Sequence, residues 1–148
     1  MKILNNLSDV SKNPKAITVG NFDGIHKGHQ ALINKTKEIS TKNNVESLIF
    51  TFNKLPKEIF SPDTVQRLYN NKIKESILSS YKIDTLLSID FNEIKDYSAD
   101  FFCEEILIKK LKAQYLIIGE NFKFGKDRSG DVEKLRWYNK EEAFEVII

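Results

Sequence analysis

Short apolar runs alternate along this chain with longer segments whose apolar residues recur at helical spacing. Ala16 to Val19 (AITV) predicts a strand, and glycines follow it at once. His29 to Lys42 predicts a helix with Leu32, Ile33, Thr36 and Ile39 on one face. Val45 to Phe52 (VESLIFTF), β-branched and aromatic, predicts a second strand. Pro56 and Pro62 then punctuate a loop, and Asp63 or Thr64 stands where a cap would open a helix running to about Ser80. Asp84 to Ile89 predicts a third strand. Ser98 is placed to cap a helix in which Phe101, Phe102, Glu105, Ile108 and Leu111 recur, with Phe101, Phe102 and Ile106 expected to be packed. Gln114 to Ile118 predicts a fourth strand, Asp131 to Glu142 a helix, and Phe144 to Ile148 (FEVII) a fifth, buried strand.

This β-α-β-α-β-α-β-α-β order predicts an α/β fold: a five-stranded parallel sheet with helices on both faces, a Rossmann-like three-layer α/β/α architecture. Crossovers in such a sheet are right-handed, and ligands gather at the carboxyl ends of the strands near a topological switch point. The turns after the first and fourth predicted strands are therefore the places to look for chemistry.

Composition narrows the field. With 148 residues, 41% hydrophobic and 30% charged, the chain reads as one globular domain with no need of a covalent staple. Lys plus Arg number 23 against 21 Asp plus Glu, a formal charge of +2, so no polybasic arm or acidic tail dominates and no nucleic-acid partner is expected. No apolar run approaches the roughly 20 residues that span a bilayer, and the start lacks the apolar core of a secretory signal, so no membrane partner is expected. Cys103, the single cysteine, excludes an intrachain disulfide framework and predicts a reducing, cytoplasmic setting. It falls in an apolar-rich helix and is expected to pack rather than react. The chain stops inside FEVII, which suggests a fragment of a longer protein.

The turn after the first predicted strand reads Gly20-Asn21-Phe22-Asp23-Gly24-Ile25-His26-Lys27-Gly28-His29 and holds three of the six glycines and both histidines. Glycines let backbone N–H groups approach a ligand, and a helix beginning near His26 to Gly28 would turn its positive end and open amides toward a phosphate. Histidines three residues apart can face one ligand and donate to its oxygens as charge builds there. Two other readings stay open: a tight surface turn, and a metal site of Asp23, His26 and His29, a carboxylate with two imidazoles. A dinucleotide fingerprint is absent, because the glycines fall at 20, 24 and 28.

The turn after the fourth predicted strand, Gly119 to Asp131 (GENFKFGKDRSGD), sets Lys123, Lys126 and Arg128 beside glycines. Ser129 and Gly130 are placed to open the next helix, and Phe122 and Phe124 alternate with polar residues. On composition alone a basic loop with buried Phe anchors accounts for it equally well.

The segment G-x-F-D-G-x-H-x-G-H resembles the HxGH nucleotidyltransferase motif in the long form carried by the adenylyltransferase half of bacterial bifunctional riboflavin kinase/FMN adenylyltransferases, the FAD synthetases. The stretch I-I-G-E-N-F-K-F-G-K-D-R-S-G-D-V-E-x-L-R is similar to the second signature of that family, in the expected order. The resemblance implies transfer of AMP from Mg²⁺-bound ATP to FMN, giving FAD and pyrophosphate. It implies His26 and His29 as catalytic residues, Gly20, Asn21, Phe22, Asp23, Gly24 and Gly28 against ATP, and Asn121, Arg128 and Ser129 against the flavin nucleotide. It gives no side-chain metal ligand, Mg²⁺ being held through the ATP phosphates. Thr51, Phe52 and Pro56 match the family's T-F-x-P-H-P loop, which implies Phe52 and Pro56 beside the flavin, although Lys54 and Leu55 replace its first Pro and its His. The family's Leu-Thr-Thr pattern survives weakly as Arg67-Leu68-Tyr69-Asn70. Its I-S-S-T-x-I-R motif and riboflavin kinase domain would follow Ile148, so residues 1–148 are expected to be most of one domain of a two-domain parent.

Overall fold

A computed structural model describes residues 1–53 and 62–148, with the backbone alone over 62–70. Six strands form one parallel sheet among the described residues: β1 (Lys2–Leu4), β2 (Lys15–Val19), β3 (Glu46–Asn53), β4 (Thr85–Asp90), β5 (Ala113–Ile117) and β6 (Glu145–Ile147), in the order β1-β4-β3-β2-β5-β6. The α/β class and parallel sheet agree with the sequence pattern, but the sheet has one strand more than the expected five. The extra strand, β1, has only three residues and pairs with β4 at Lys2–Thr85, Ile3–Leu86 and Leu4–Leu87, so it carries too little periodicity to be recognised. β6 lies at the sheet edge with only partial burial, unlike the buried strand expected there; Phe144 reaches the core instead and Ile148 is exposed.

The helices are α1 (Lys27–Asn43), α2 (Pro62–Ser79), α3 (Ala99–Phe101, continued as a π-helical segment over Phe102–Lys110) and α4 (Val132–Lys140). The expected cap is present at Ser98, whose hydroxyl accepts from the Phe101 N–H at 3.0 Å; Asp131, expected as the first residue of the last helix, caps it instead, its carboxylate accepting from the Lys134 N–H at 3.0 Å. Ser129 and Gly130 do not open α4. Gly130 instead pairs with Phe124 in an antiparallel bridge that closes the preceding loop. The Leu111 N–H reaches back to the Ile106 carbonyl, the wider repeat of a π-helix. Phe101, expected inside, is exposed against Tyr97, because the buried face of the helix runs through Ala99, Phe102, Cys103, Ile106 and Leu107. Burial pushes the Cys103 thiol up to about 12, which keeps it inert.

The sheet separates two cores. On one face α1 and α2 cover Phe22, Ile33, Ile49, Leu78, Ile83 and Leu86. On the other, α3 and α4 cover a larger cluster that includes Val19, Phe50, Phe102, Phe124, Leu135 and Tyr138. From β2 the chain winds outward through β3 to β4, then crosses to β5 on the opposite flank of β2. The direction reverses between β2 and β5, so the switch point lies at the two turns singled out by the sequence.

Candidate active site

Val19 ends β2, and the Gly20 N–H still donates to the Phe50 carbonyl at 3.1 Å before the chain leaves the sheet. The turn that follows takes three positive φ angles: Phe22 (54°), Gly24 (69°) and Ile25 (21°). A bulky aromatic in the left-handed region is strained and persists only where surroundings hold it. Phe22 is held by burial: it is 1% exposed, and its ring meets His29 edge-on with centroids 5.2 Å apart. Asn21 and Asp23 point the other way and are exposed.

His26 caps α1. Its Nδ1 accepts from the Gly28 N–H at 3.1 Å and the His29 N–H at 3.4 Å, and His29 Nδ1 accepts in return from the His26 N–H at 3.4 Å. This is a capping box built from two imidazoles. It corrects one expectation: the amides of Gly28 and His29 are not open to a phosphate but already taken by His26. The rings stack with centroids 3.6 Å apart and 22° between planes. Because both Nδ1 atoms accept, each neutral ring carries its proton on Nε2, leaving two Nε2–H donors. Burial, and then the neighbouring His26, hold the His29 imidazole below the ordinary histidine value, with Asp23 opposing. A Cβ on Gly28 would lie 3.0 Å from His26 Cε1 and 3.1 Å from Nδ1, so any larger residue would press the ring away from the helix start by a few tenths of an ångström. The paired Nδ1 atoms face backbone, not a common cation, and the described residues contain no group of three His, Cys, Asp or Glu side chains able to hold a metal.

On the other side of β2 a cavity of about 90 Å³ opens. Val19, Phe52, Phe91, Phe102, Phe122, Phe124 and Arg128 are among its walls, so the ends of β2, β3 and β4, helix α3 and the loop after β5 all contribute. Phe52 meets Phe91 edge-on at 5.5 Å, and Phe122 stacks on Phe124 at 5.5 Å. Gly125 (φ 78°) turns this loop where a Cβ would stand 2.9 Å from the Ala99 nitrogen. Arg128, with φ 56°, lies on the rim, while Asn121 and Ser129 are exposed on the same loop and do not line the cavity. Pro56, Lys54 and Leu55 lie outside the described residues, as do the side chains of Arg67, Leu68, Tyr69 and Asn70; α2 already begins at Pro62, so Asp63 and Thr64 stand inside the helix rather than capping it.

One buried cation beside the histidine turn escaped sequence reasoning. Lys74, on α2, is 7% exposed, and its Nζ donates to the Asn21 carbonyl (2.9 Å), Thr51 Oγ1 (3.3 Å) and the Phe52 carbonyl (3.2 Å). The Asp23 carboxylate stands 3.8 Å away. Burial lowers the ammonium's affinity for its proton, and Asp23 and Glu75 oppose the shift. The available signal was a lysine one helical turn before Leu78 on the inward stripe of α2.

With this geometry in hand, known proteins identify the lineage. Residues 8–148 match the family described as FAD synthetase. The chain belongs to the FAD synthetase family. It is 36% identical over 146 residues to the bifunctional riboflavin kinase/FMN adenylyltransferase of Buchnera aphidicola subsp. Schizaphis graminum, covering 97% of this chain and 46% of that protein. It is 30% identical over 151 residues to the protein of the same name from Escherichia coli K12, covering 99% and 48%. The chain thus spans about half the length of these relatives. A crystal structure described as a macrolide-efflux protein from Streptococcus pneumoniae superposes with a TM-score of 0.73 at 29% identity, covering 99% of this chain and 50% of that one. Among the described residues no helix of the FAD synthetase chain is long and apolar enough to cross a membrane.

Proposed function

We propose that this FAD synthetase chain is the FMN adenylyltransferase domain of a longer, cytoplasmic protein that also carries a riboflavin kinase domain. The observation that carries the reading is the stacked imidazole pair, 3.6 Å apart, whose Nδ1 atoms are engaged by backbone and whose Nε2–H groups have no partner among the described residues. Such donors act on charge that develops during reaction at a phosphoryl centre. The FMN phosphate oxygen attacks the α-phosphorus of ATP in line. The bond from that phosphorus to the bridging oxygen breaks, and its electron pair leaves with pyrophosphate. His26 and His29 donate to the phosphate oxygens as charge shifts toward the leaving group. No side chain forms a covalent intermediate, so rate comes from positioning and charge stabilisation.

Gly20, Asn21, Phe22, Asp23, Gly24 and Gly28 shape the ATP side. Gly28 accommodates the His26 ring, buried Phe22 props His29, and the Asn21 carbonyl ties the turn down. Asn121, Arg128 and Ser129 serve the flavin nucleotide, with Phe52 and Pro56 beside its ring. The phenylalanine walls around Phe52 and the Arg128 cation at their rim support that side, since a flavin offers a flat aromatic system and a phosphate tail. Mg²⁺ would be held through the ATP phosphates rather than by a side chain of this chain, and would neutralise part of their charge.

The test is FAD formation from FMN and Mg-ATP by the full-length parent. Conversion with FMN and not with pantetheine phosphate or nicotinate mononucleotide is expected. Preference for either of those acceptors would replace this reading with another HxGH nucleotidyltransferase.

A further inference from the structure

Lys74 occupies a position that the reaction scheme leaves without a role. An ammonium has three N–H donors, and here each has a protein acceptor: the Asn21 carbonyl in the strained turn, and Thr51 Oγ1 and the Phe52 carbonyl at the end of β3. None is left for a ligand, so Lys74 does not itself contact substrate. The Thr51 hydroxyl donates to the same Asn21 carbonyl at 3.0 Å, which makes that oxygen the junction of three elements: the turn, β3 and α2. One residue from each end of this junction stand groups from the two half-sites: Phe22, which abuts His29, and the Phe52 side chain in the aromatic cavity.

We propose that Lys74 is a positioning residue for adenylyl transfer, its ammonium clamping the nucleotide turn to the end of β3 and so fixing the distance between the histidine pair and the aromatic cavity. This rests on the FMN adenylyltransferase reading. The turn needs such a clamp: Phe22, Gly24 and Ile25 hold positive φ within four residues, and strained backbone survives only where contacts over-determine it. The energetics favour a function beyond stability. A buried ammonium is costly to desolvate, and its hydrogen bonds do little more than offset that cost, although removing it would leave its acceptors unpaired.

The molecule supplies its own control. Lys15, at the opposite end of the sheet, is also fully buried and donates to three carbonyls, those of Ser11 (2.6 Å), Asn13 (2.7 Å) and Leu111 (3.1 Å), none of them in the site. Lys74→Met and Lys15→Met in the full-length parent are therefore compared by thermal midpoint, by kcat and KM for ATP and FMN, and by hydrogen exchange at amides 20–25. Both variants are expected to lose stability. Lys74→Met alone is expected to speed exchange at 20–25 and to lower kcat/KM by about 10- to 100-fold, the scale of a small misplacement of reacting groups. Should Lys74→Met not fold, Lys74→Gln, which keeps an N–H donor pair, is read in the same way. Exchange and kcat/KM in the Lys74 variant no different from those in the Lys15 variant would overturn the proposal. Faster exchange at 20–25 in a parent whose wild type makes no FAD would keep the clamp and reject the activity instead.

Discussion

A methyl group on Gly28 would meet the His26 ring at 3.0 Å, and the consequences for stability and for chemistry run in opposite directions. Alanine improves helix propensity by up to about 1 kcal/mol, while losing the His26 cap costs about the same. Gly28→Ala should thus leave the midpoint of chemical denaturation nearly unchanged yet sharply reduce FAD formation, which parallel denaturation and turnover measurements on one preparation would establish. His29→Ala should cut adenylyl transfer by the parent about 100-fold or more, the scale for one lost donor to developing charge. Unchanged turnover would remove His29 from the mechanism. The same imidazole ties stability to pH. Its folded-state affinity for a proton is depressed below the ordinary value of 6.5, so the unfolded chain binds the proton more tightly. The stabilisation is complete above that ordinary value and is lost as pH falls through the lower folded one. The melting temperature should drop on acidification from about pH 7.5 to about pH 5.5, and should drop less in His29→Gln.

At the scale of elements, the loop after β5 shows how a hairpin-like closure builds one wall of a cavity. The mutual bonds of Phe124 and Gly130, at 3.1 and 2.8 Å, hold Phe122 and Phe124 against α3 and leave Arg128 on the rim. Arg128→Ala should therefore weaken FMN binding more than ATP binding in calorimetric titrations, and equal losses would count against placing the flavin there. Much of this was legible in the sequence. Ser98 announces its helix because a short polar side chain before an apolar-periodic run has few other uses. The glycines and histidines of the first turn fall within ten residues, so local spacing alone locates the start of α1 to within two residues. What escaped depends on distant partners or unusual backbone. Lys74 finds its acceptors 53, 23 and 22 residues away, and no local pattern records that. Phe101 and Phe102 are adjacent, and only Phe102 falls on the face shared by Cys103, Ile106 and Leu107, while the self-capping of α1 follows from ring orientation rather than residue type.

Across the whole molecule the two layers differ in depth. The α1/α2 side rests on a small cluster, with Leu78 fully buried among Phe22, Ile33 and Ile49, whereas α3 and α4 share the larger one. Leu78→Ala should cost about 2–5 kcal/mol in urea unfolding, the range for deleting a buried leucine side chain. It should also weaken ATP binding more than FMN binding, because its neighbour Phe22 props the histidine turn while the aromatic cavity stands on the far face.

Those two faces meet at the rim of β2, where Val19 looks into the cavity and Gly20 begins the histidine turn. The rim acts as a saddle one strand wide. A small molecule reaching over it from one flank to the other gains both grips for a single loss of translational freedom. A dinucleotide long enough to straddle the saddle should consequently leave more slowly than either of its halves, and its departure rather than its making would set the pace of the cycle.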